Sequence, residues 1–121
     1  MLKFYTCEEC KTVKTEEEVK GLDISKLTEV IPNTTEAALE KHLPVVTVSG
    51  NKVKVSVGEV IHPMTEEHFI NFIILETNKG TKKAELKPGQ EPTCEFELSE
   101  GEEPIAVYEY CNLHGVWKKA I

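Results

Sequence analysis

Val45-Val46-Thr47-Val48-Ser49-Gly50-Asn51-Lys52-Val53-Lys54-Val55-Ser56-Val57 is the stretch that decides the fold. Val53, Val55 and Val57 alternate with Lys52, Lys54 and Ser56, which puts the valines on one face of a strand and the polar residues on the other. Ser49-Gly50-Asn51 is a hairpin signal joining that strand to residues 45–48. The same period of two recurs downstream. Gly58 breaks the strand. Residues 69–76 are the most apolar run and read as a central strand. Asn78-Lys79-Gly80 turns the chain, and residues 81–86 alternate again. After Lys87-Pro88-Gly89, residues 93–98 set Cys94, Phe96 and Leu98 against Thr93, Glu95 and Glu97. Residues 105–110 and 116–120 complete the set. Short strands with turns every 8 to 12 residues or so predict an all-β fold, a seven-stranded immunoglobulin-like β-sandwich with a short N-terminal extension.

Upstream of the valine hairpin the pattern changes. Phe4 and Tyr5 lead into Cys7-Glu8-Glu9-Cys10, which reads as a short strand and a knuckle turn of the kind that presents two thiolates to a metal. Two thiolates are half of a tetrahedral site, and no second C-x-x-C follows; a pair of free thiols is the competing reading. Residues 13–33 are mixed and charged, punctuated by Gly21 and Pro32-Asn33, and read as a linker or a small, poorly packed subdomain. Glu16, Glu17 and Glu18 read as a solvated face. Residues 34–42 carry a short helical signature, with Asn33, Thr34 or Thr35 as cap and Pro44 as stop. The expected division is residues 1–33 and residues 34–121.

The bulk properties narrow the function classes. A chain of 121 residues with 40% hydrophobic content suits one domain with one core, plus a small appendage. Net charge of -7 and a pI near 5.1 argue against nucleic acid as a partner. No apolar run is long enough to span a membrane, and residues 1–6 lack the pattern of a signal peptide, so a cytoplasmic location is the expectation. Four cysteines in such a chain point to metal or redox chemistry rather than a disulfide framework. Cys94, alternating with Phe96 and Leu98, reads as core.

The chemistry gathers in three loops. In E-Y-C-N-L-H-G-V-W (109–117), Cys111 and His114 stand three apart in a segment ending in Gly115. His42 precedes Leu43-Pro44 at the entry to the first sandwich strand, and His62 and His68 share one inter-strand loop. Taken singly, each of these side chains is more often a surface or packing residue. Taken together, four imidazoles and one thiolate on loops that cluster at the ends of a sandwich read as one metal site. Structural zinc takes four ligands, often with two or more cysteines. Five protein ligands leave one position open on a six-coordinate metal, and imidazole with thiolate suits a redox-active ion such as iron. A thiolate opposite the open position would push electron density toward a bound oxygen species. Backbone N–H groups of Leu113 and His114 are expected to point at the sulfur and tune it.

E-K-H-L-P (40–44), G-E-V-I-H-P-M (58–64), E-E-H-F-I (66–70), L-K-P-G (86–89) and E-Y-C-N-L-H-G-V-W (109–117) resemble the motifs of the superoxide reductases of the desulfoferrodoxin and neelaredoxin group. The match runs over about residues 28 to 119 and falls on every candidate ligand. The resemblance implies an immunoglobulin-like sandwich of seven strands. It implies one mononuclear non-haem iron with His42, His62, His68 and His114 in a plane and Cys111 axial. It implies Glu40 as the sixth ligand of the oxidised iron, and Lys41 as the group that attracts superoxide and helps protonate the product. The implied reaction is one-electron reduction of superoxide to hydrogen peroxide, with electrons from rubredoxin or a similar donor. A homo-oligomer, dimer or tetramer, is expected. The alternative is a metal-binding or electron-transfer sandwich without catalysis.

The N-terminus departs from the two-iron form of that group, which carries a knuckle followed by an adjacent Cys-Cys pair. Cys7 and Cys10 remain, Lys11 stands where glycine is usual, and residues 21–26 contain no cysteine. The expectation is a degenerate desulforedoxin-like segment without an Fe(Cys)4 centre, and a one-iron protein. Lys41 beside His42 supplies a local positive focus. In a chain of net charge -7 such a focus outweighs more distant charges, because salt screens those beyond about 8 Å.

Overall fold

The computed structural model describes residues 2–7, 13–22, 24–33, 42–58 and 60–121. Ten strands are described: β1 (Phe4–Cys7), β2 (Lys14–Thr15), β3 (Leu27–Val30), β4 (Pro44–Ser49), β5 (Lys52–Val57), β6 (Ile70–Thr77), β7 (Gly80–Glu85), β8 (Thr93–Glu97), β9 (Pro104–Cys111) and β10 (Gly115–Ala120). All pairings are antiparallel. A four-stranded sheet in the order β10-β9-β6-β7 faces a three-stranded sheet in the order β4-β5-β8, giving the seven-stranded immunoglobulin-like sandwich. No helix among the described residues is long and apolar enough to cross a membrane.

The valine alternation does what the sequence pattern implies. Val53, Val55 and Val57 of β5 meet Ile70, Ile73, Leu75, Val107 and Cys111 of the opposite sheet, closed at the rim by Phe96 and Leu98. Cys94 is partly buried against this core, and burial pushes its thiol up to about 12. β6 is central, paired with β7 on one side and β9 on the other. Its register against β9 slips between Ile70 and Phe72. That bulge lets Ile70 face the sandwich core while Phe72 and Ile74 turn to the other side of the sheet.

That other side is where the structure departs from expectation. Residues 13–33 read as a linker or a small, poorly packed subdomain; the described ones form a small unit, and it is well packed. A third sheet, β2-β1-β3, covers the outer face of the four-stranded sheet. Phe4 is fully buried, its ring 6.3 Å from that of Phe72 and 5.1 Å from that of Tyr108. Val13, Ile74, Ala106, Tyr110 and Val116 complete this second core. Burying an aromatic side chain of that size stabilises by about 2–3 kcal/mol. Lys83 of β7 lies 4.7 Å above the Phe72 ring and pairs with Glu18 at 3.1 Å. The physical reason is on β6: a strand apolar on both faces needs cover on both. At the end of the cover, Asn33 adopts a left-handed conformation (φ 64°). Its N–H donates to the Val116 carbonyl, and its side-chain oxygen accepts from the Lys118 N–H at 2.7 Å. The short helix expected over residues 34–42 lies outside the described residues, except for His42 itself.

One inward-facing residue of β9 is an acid. Glu109 sits between Val107 and Cys111 on the core face, fully buried, and its carboxylate oxygens have no hydrogen-bond partner among the described residues. Burial raises its pKa well above the ordinary 4.5, so the carboxyl is held neutral. With the folded-state pKa raised, this contribution to stability is fully present below pH 4.5 and is lost as pH rises toward the folded value. Glu109→Gln removes the titration. In metal-free protein, the variant should gain on wild type by about 1.4 kcal/mol per pH unit through that window. Urea midpoints from pH 4.5 to 8 will measure the gap, and parallel curves would show that the fold does not hold the carboxyl neutral.

Candidate metal centre

Each candidate ligand is fixed by its own local hydrogen bonds at one end of the sandwich. His42 lies at the lead-in to β4, where the neighbouring Leu43 carbonyl accepts from the Gly58 N–H at the end of β5. Gly58 takes φ 87°, turning the chain into the β5–β6 loop. There the His62 N–H reaches back to the Val57 carbonyl, and the His62 side chain meets the Pro63 carbonyl at 2.7 Å through Nδ1. A carbonyl can only accept, so Nδ1 carries the proton and Nε2 keeps its lone pair. His68 closes a turn with Thr65 through reciprocal backbone bonds, reinforced by the Thr65 hydroxyl. Cys111 is the last residue of β9, opposite Ile70 on β6. A three-residue turn carries His114 and ends at Gly115, with φ 81°.

The side chains converge. Donor atoms of His42, His62, His68 and Cys111 all lie within 4.8 Å of one another. His114 joins them, its Nδ1 3.0 Å from His42 Nε2 and 3.7 Å from the Cys111 sulfur. The four rings form a closed circuit. Centroids are 4.7 Å apart for His42–His62, 4.6 Å for His62–His68, 5.1 Å for His68–His114 and 4.8 Å for His114–His42, each pair edge-on. The His42–His68 pair is wider, at 6.4 Å and near-parallel, as the diagonal of such a circuit must be. His42 and His62 are buried, while His68 and His114 are half-buried, so one edge of the circuit reaches solvent.

The electrostatics bear on His62 and Cys111 in different ways. Burial, with the neighbouring His42, His68 and His114, lowers the His62 pKa to about 4 against the pull of the Pro63 carbonyl, so this imidazole is neutral at ordinary pH. Burial pushes the Cys111 thiol up, and Glu109 would add to that only where its carboxyl ionises. Backbone N–H groups of Leu113 and His114 donate to the sulfur and pull the other way. Those are the two groups expected from the C-x-x-H spacing.

Three supporting residues escaped the sequence reading. Asn112 joins the hairpin to the histidine loop at both ends of its amide: Oδ1 accepts from Phe69 N–H at 2.9 Å, and Nδ2 donates to the Glu67 carbonyl at 3.0 Å. Met64 accepts the Ile70 N–H at its sulfur, and its carbonyl accepts from Gly89. Trp117 stacks on His42, with centroids 5.1 Å apart and 28° between planes. The only signal for Asn112 was its place between the cysteine and the histidine. Glu40 and Lys41, and with them any contact they make with the centre, lie outside the described residues, as does Cys10.

The family model described as desulfoferrodoxin matches residues 34–120. The chain belongs to the desulfoferrodoxin family. The desulfoferrodoxin of Clostridium acetobutylicum is 46% identical over 96 residues, 78% of this chain and 74% of that protein. The superoxide reductase of Pyrococcus furiosus is 32% identical, with 68% of this chain and 87% of that protein covered. Among solved structures, the superoxide reductase from Treponema pallidum superposes with a TM-score of 0.81 at 38% identity, covering 98% of each chain. The one-iron superoxide reductase from Giardia intestinalis gives 0.59 at 36% identity, over 68% of this chain and 97% of that one.

An iron centre fits the desulfoferrodoxin donor set found here. Two donors each about 2.1 Å from one ion and at right angles lie about 3.0 Å apart. The His42 Nε2 separations from His114 Nδ1 and His62 Nε2 are 3.0 and 3.2 Å. Imidazole nitrogens with one thiol suit an ion of intermediate softness. Asn112→Ala would leave every donor in place and cut the side-chain tie between the two loops, keeping only the backbone bond to the Phe69 carbonyl. Its affinity for Fe2+, read by chelator competition, should fall about 10- to 100-fold with the sandwich still folded. Wild-type affinity would show that the loops hold their places without the amide.

Proposed function

We propose that this chain is a superoxide reductase, joining one electron and two protons to superoxide to give hydrogen peroxide, at a single iron held by His42, His62, His68, His114 and Cys111. The observation that carries the reading is the convergence of four imidazoles and one thiol on one point at the end of the sandwich. Bound there, iron supplies a one-electron couple, Fe2+/Fe3+. The chain supplies the rest. His62 is held in one tautomer by Pro63, and its low pKa keeps a proton from competing for Nε2. The Leu113 and His114 N–H groups stabilise negative charge on the Cys111 sulfur. The half-buried His68–His114 edge gives a small anion a route in, while the His42–His62 edge is closed to water.

In this reading Glu40 would serve as a ligand to the oxidised iron, and Lys41 would draw superoxide in and help protonate the product. Both roles rest on the resemblance of E-K-H-L-P (40–44) to the family's motif. Residues 34–121 form the iron-binding domain, and residues 1–33 a desulforedoxin-like segment that has lost its own iron. Of the four cysteines, Cys94 is committed to the sandwich core and Cys111 to the candidate centre, which leaves Cys7 and Cys10, half the ligands of an Fe(Cys)4 site. The proposal includes a rubredoxin-like electron donor, a homo-oligomeric assembly and a cytoplasmic setting.

Oxidised, iron-loaded protein should show a visible ferric-thiolate band, and Cys111→Ser should abolish it while the protein keeps its fold. A colourless wild type holding stoichiometric zinc would contradict the proposal. Lys41→Ala should lower the second-order rate with superoxide about 10-fold at low salt and flatten its dependence on ionic strength. Stopped-flow or pulse-radiolysis rates at several salt concentrations will measure this, and an unchanged rate and slope would remove Lys41 from the steering role.

A further inference from the structure

Trp117 is the chain's only tryptophan, and it is almost wholly buried. It lies on β10 directly opposite Glu109 of β9, so its side chain enters the sandwich interior beneath the loops that carry the candidate ligands. Two contacts distinguish it from an ordinary core aromatic. Its ring lies against His42 at 5.1 Å and 28°. Its indole N–H donates to the His114 carbonyl at 3.1 Å. His42 and His114 are neighbours in the imidazole circuit, with donor atoms 3.0 Å apart. They come from different sheets. His42 leads into β4 of the three-stranded sheet, and His114 sits on the β9–β10 hairpin of the four-stranded one. One rigid side chain therefore touches a candidate ligand from each sheet.

We infer that Trp117 is a positioning residue: it sets the spacing of His42 and His114 across the two sheets, and so tunes metal affinity and the environment of Cys111, without donating a ligand atom. The two contacts divide the work. The stack limits tilting of the His42 ring, because a flat indole face leaves that ring one low-energy orientation. The indole N–H fixes the carbonyl of the turn whose Leu113 and His114 N–H groups point at the Cys111 sulfur. Losing that bond lets the turn shift, and the sulfur feels the change through those two groups. Residues that orient ligands in this way are worth about 10- to 100-fold in metal affinity.

The inference rests on the metal-site reading, and cobalt(II) chloride added to metal-free protein separates the two. Wild type should bind one Co2+ with a thiolate charge-transfer band, and Trp117 emission should be quenched in step with that band. Trp117→Phe keeps a ring for the stack and removes the N–H. It should bind Co2+ about 10-fold more weakly, with the thiolate band shifted. Val116→Ala opens a cavity on the opposite face of β10, against the N-terminal sheet. It should lower thermal stability while leaving affinity and band at wild-type values. If Trp117→Phe matches wild type or Val116→Ala in affinity and band, or if wild-type Trp117 emission ignores bound Co2+, the positioning role is overturned. A wild type with no thiolate band would overturn the metal-site reading, and this inference with it.

Discussion

Asn112 spends both ends of one amide on the neighbouring loop, accepting from the Phe69 N–H and donating to the Glu67 carbonyl. Its own N–H adds a bond to the Phe69 carbonyl. These bonds bracket His68 and lock the β9–β10 hairpin to the β5–β6 loop at the point where Cys111 pairs with Ile70. Everything at the centre follows from that lock. Cys111 cannot slide along β6 without breaking it, and His114 moves with Cys111 because only two residues separate them. His42 arrives from the other sheet, held against the hairpin by Trp117. The strands supply a rigid frame, and a few polar bonds at one end of it convert that frame into a convergence of nitrogen and sulfur.

The convergence has an electrostatic consequence. The His62 ring stands 4.7 Å from that of His42 and 4.6 Å from that of His68, so a proton on it is desolvated and is repelled by charge on its neighbours. The lowered His62 pKa expresses this. A pocket that disfavours protons but presents lone pairs is one that favours a metal cation. The buried, neutral Glu109 beneath it keeps a further negative charge away from the thiol side. The N-terminal sheet contributes differently. It touches none of the candidate ligands among the described contacts, yet it seals the outer face of β6 and β9, the two strands that carry Ile70 and Cys111. The N-terminal segment thus has a packing role.

The fold was legible because its signal is local. Val53, Val55 and Val57 alternate within one strand, and the glycine turns at Gly50 and Gly80 mark its neighbours without reference to anything distant. The candidate site was half legible. Histidine and cysteine declare their chemistry by residue type, and their concentration in loops is visible in one dimension. Asn112 and Trp117 do not declare themselves, because an amide or an indole acquires its role from whichever backbone or ring lies opposite, and those partners are remote in sequence. The N-terminal cover was misjudged for a related reason. Phe4, Val13 and Val30 are too sparse to suggest a core, and the surface they complete belongs to Phe72, Ile74, Tyr108 and Tyr110.

The central claim is that a single iron draws its ligands from both sheets of the sandwich and none from the N-terminal cysteines. X-ray absorption at the iron edge of the iron-loaded protein tests it most directly. The account predicts a first shell with one sulfur and an imidazole signature from four histidines. A shell of four sulfurs, or one with no sulfur at all, would contradict it.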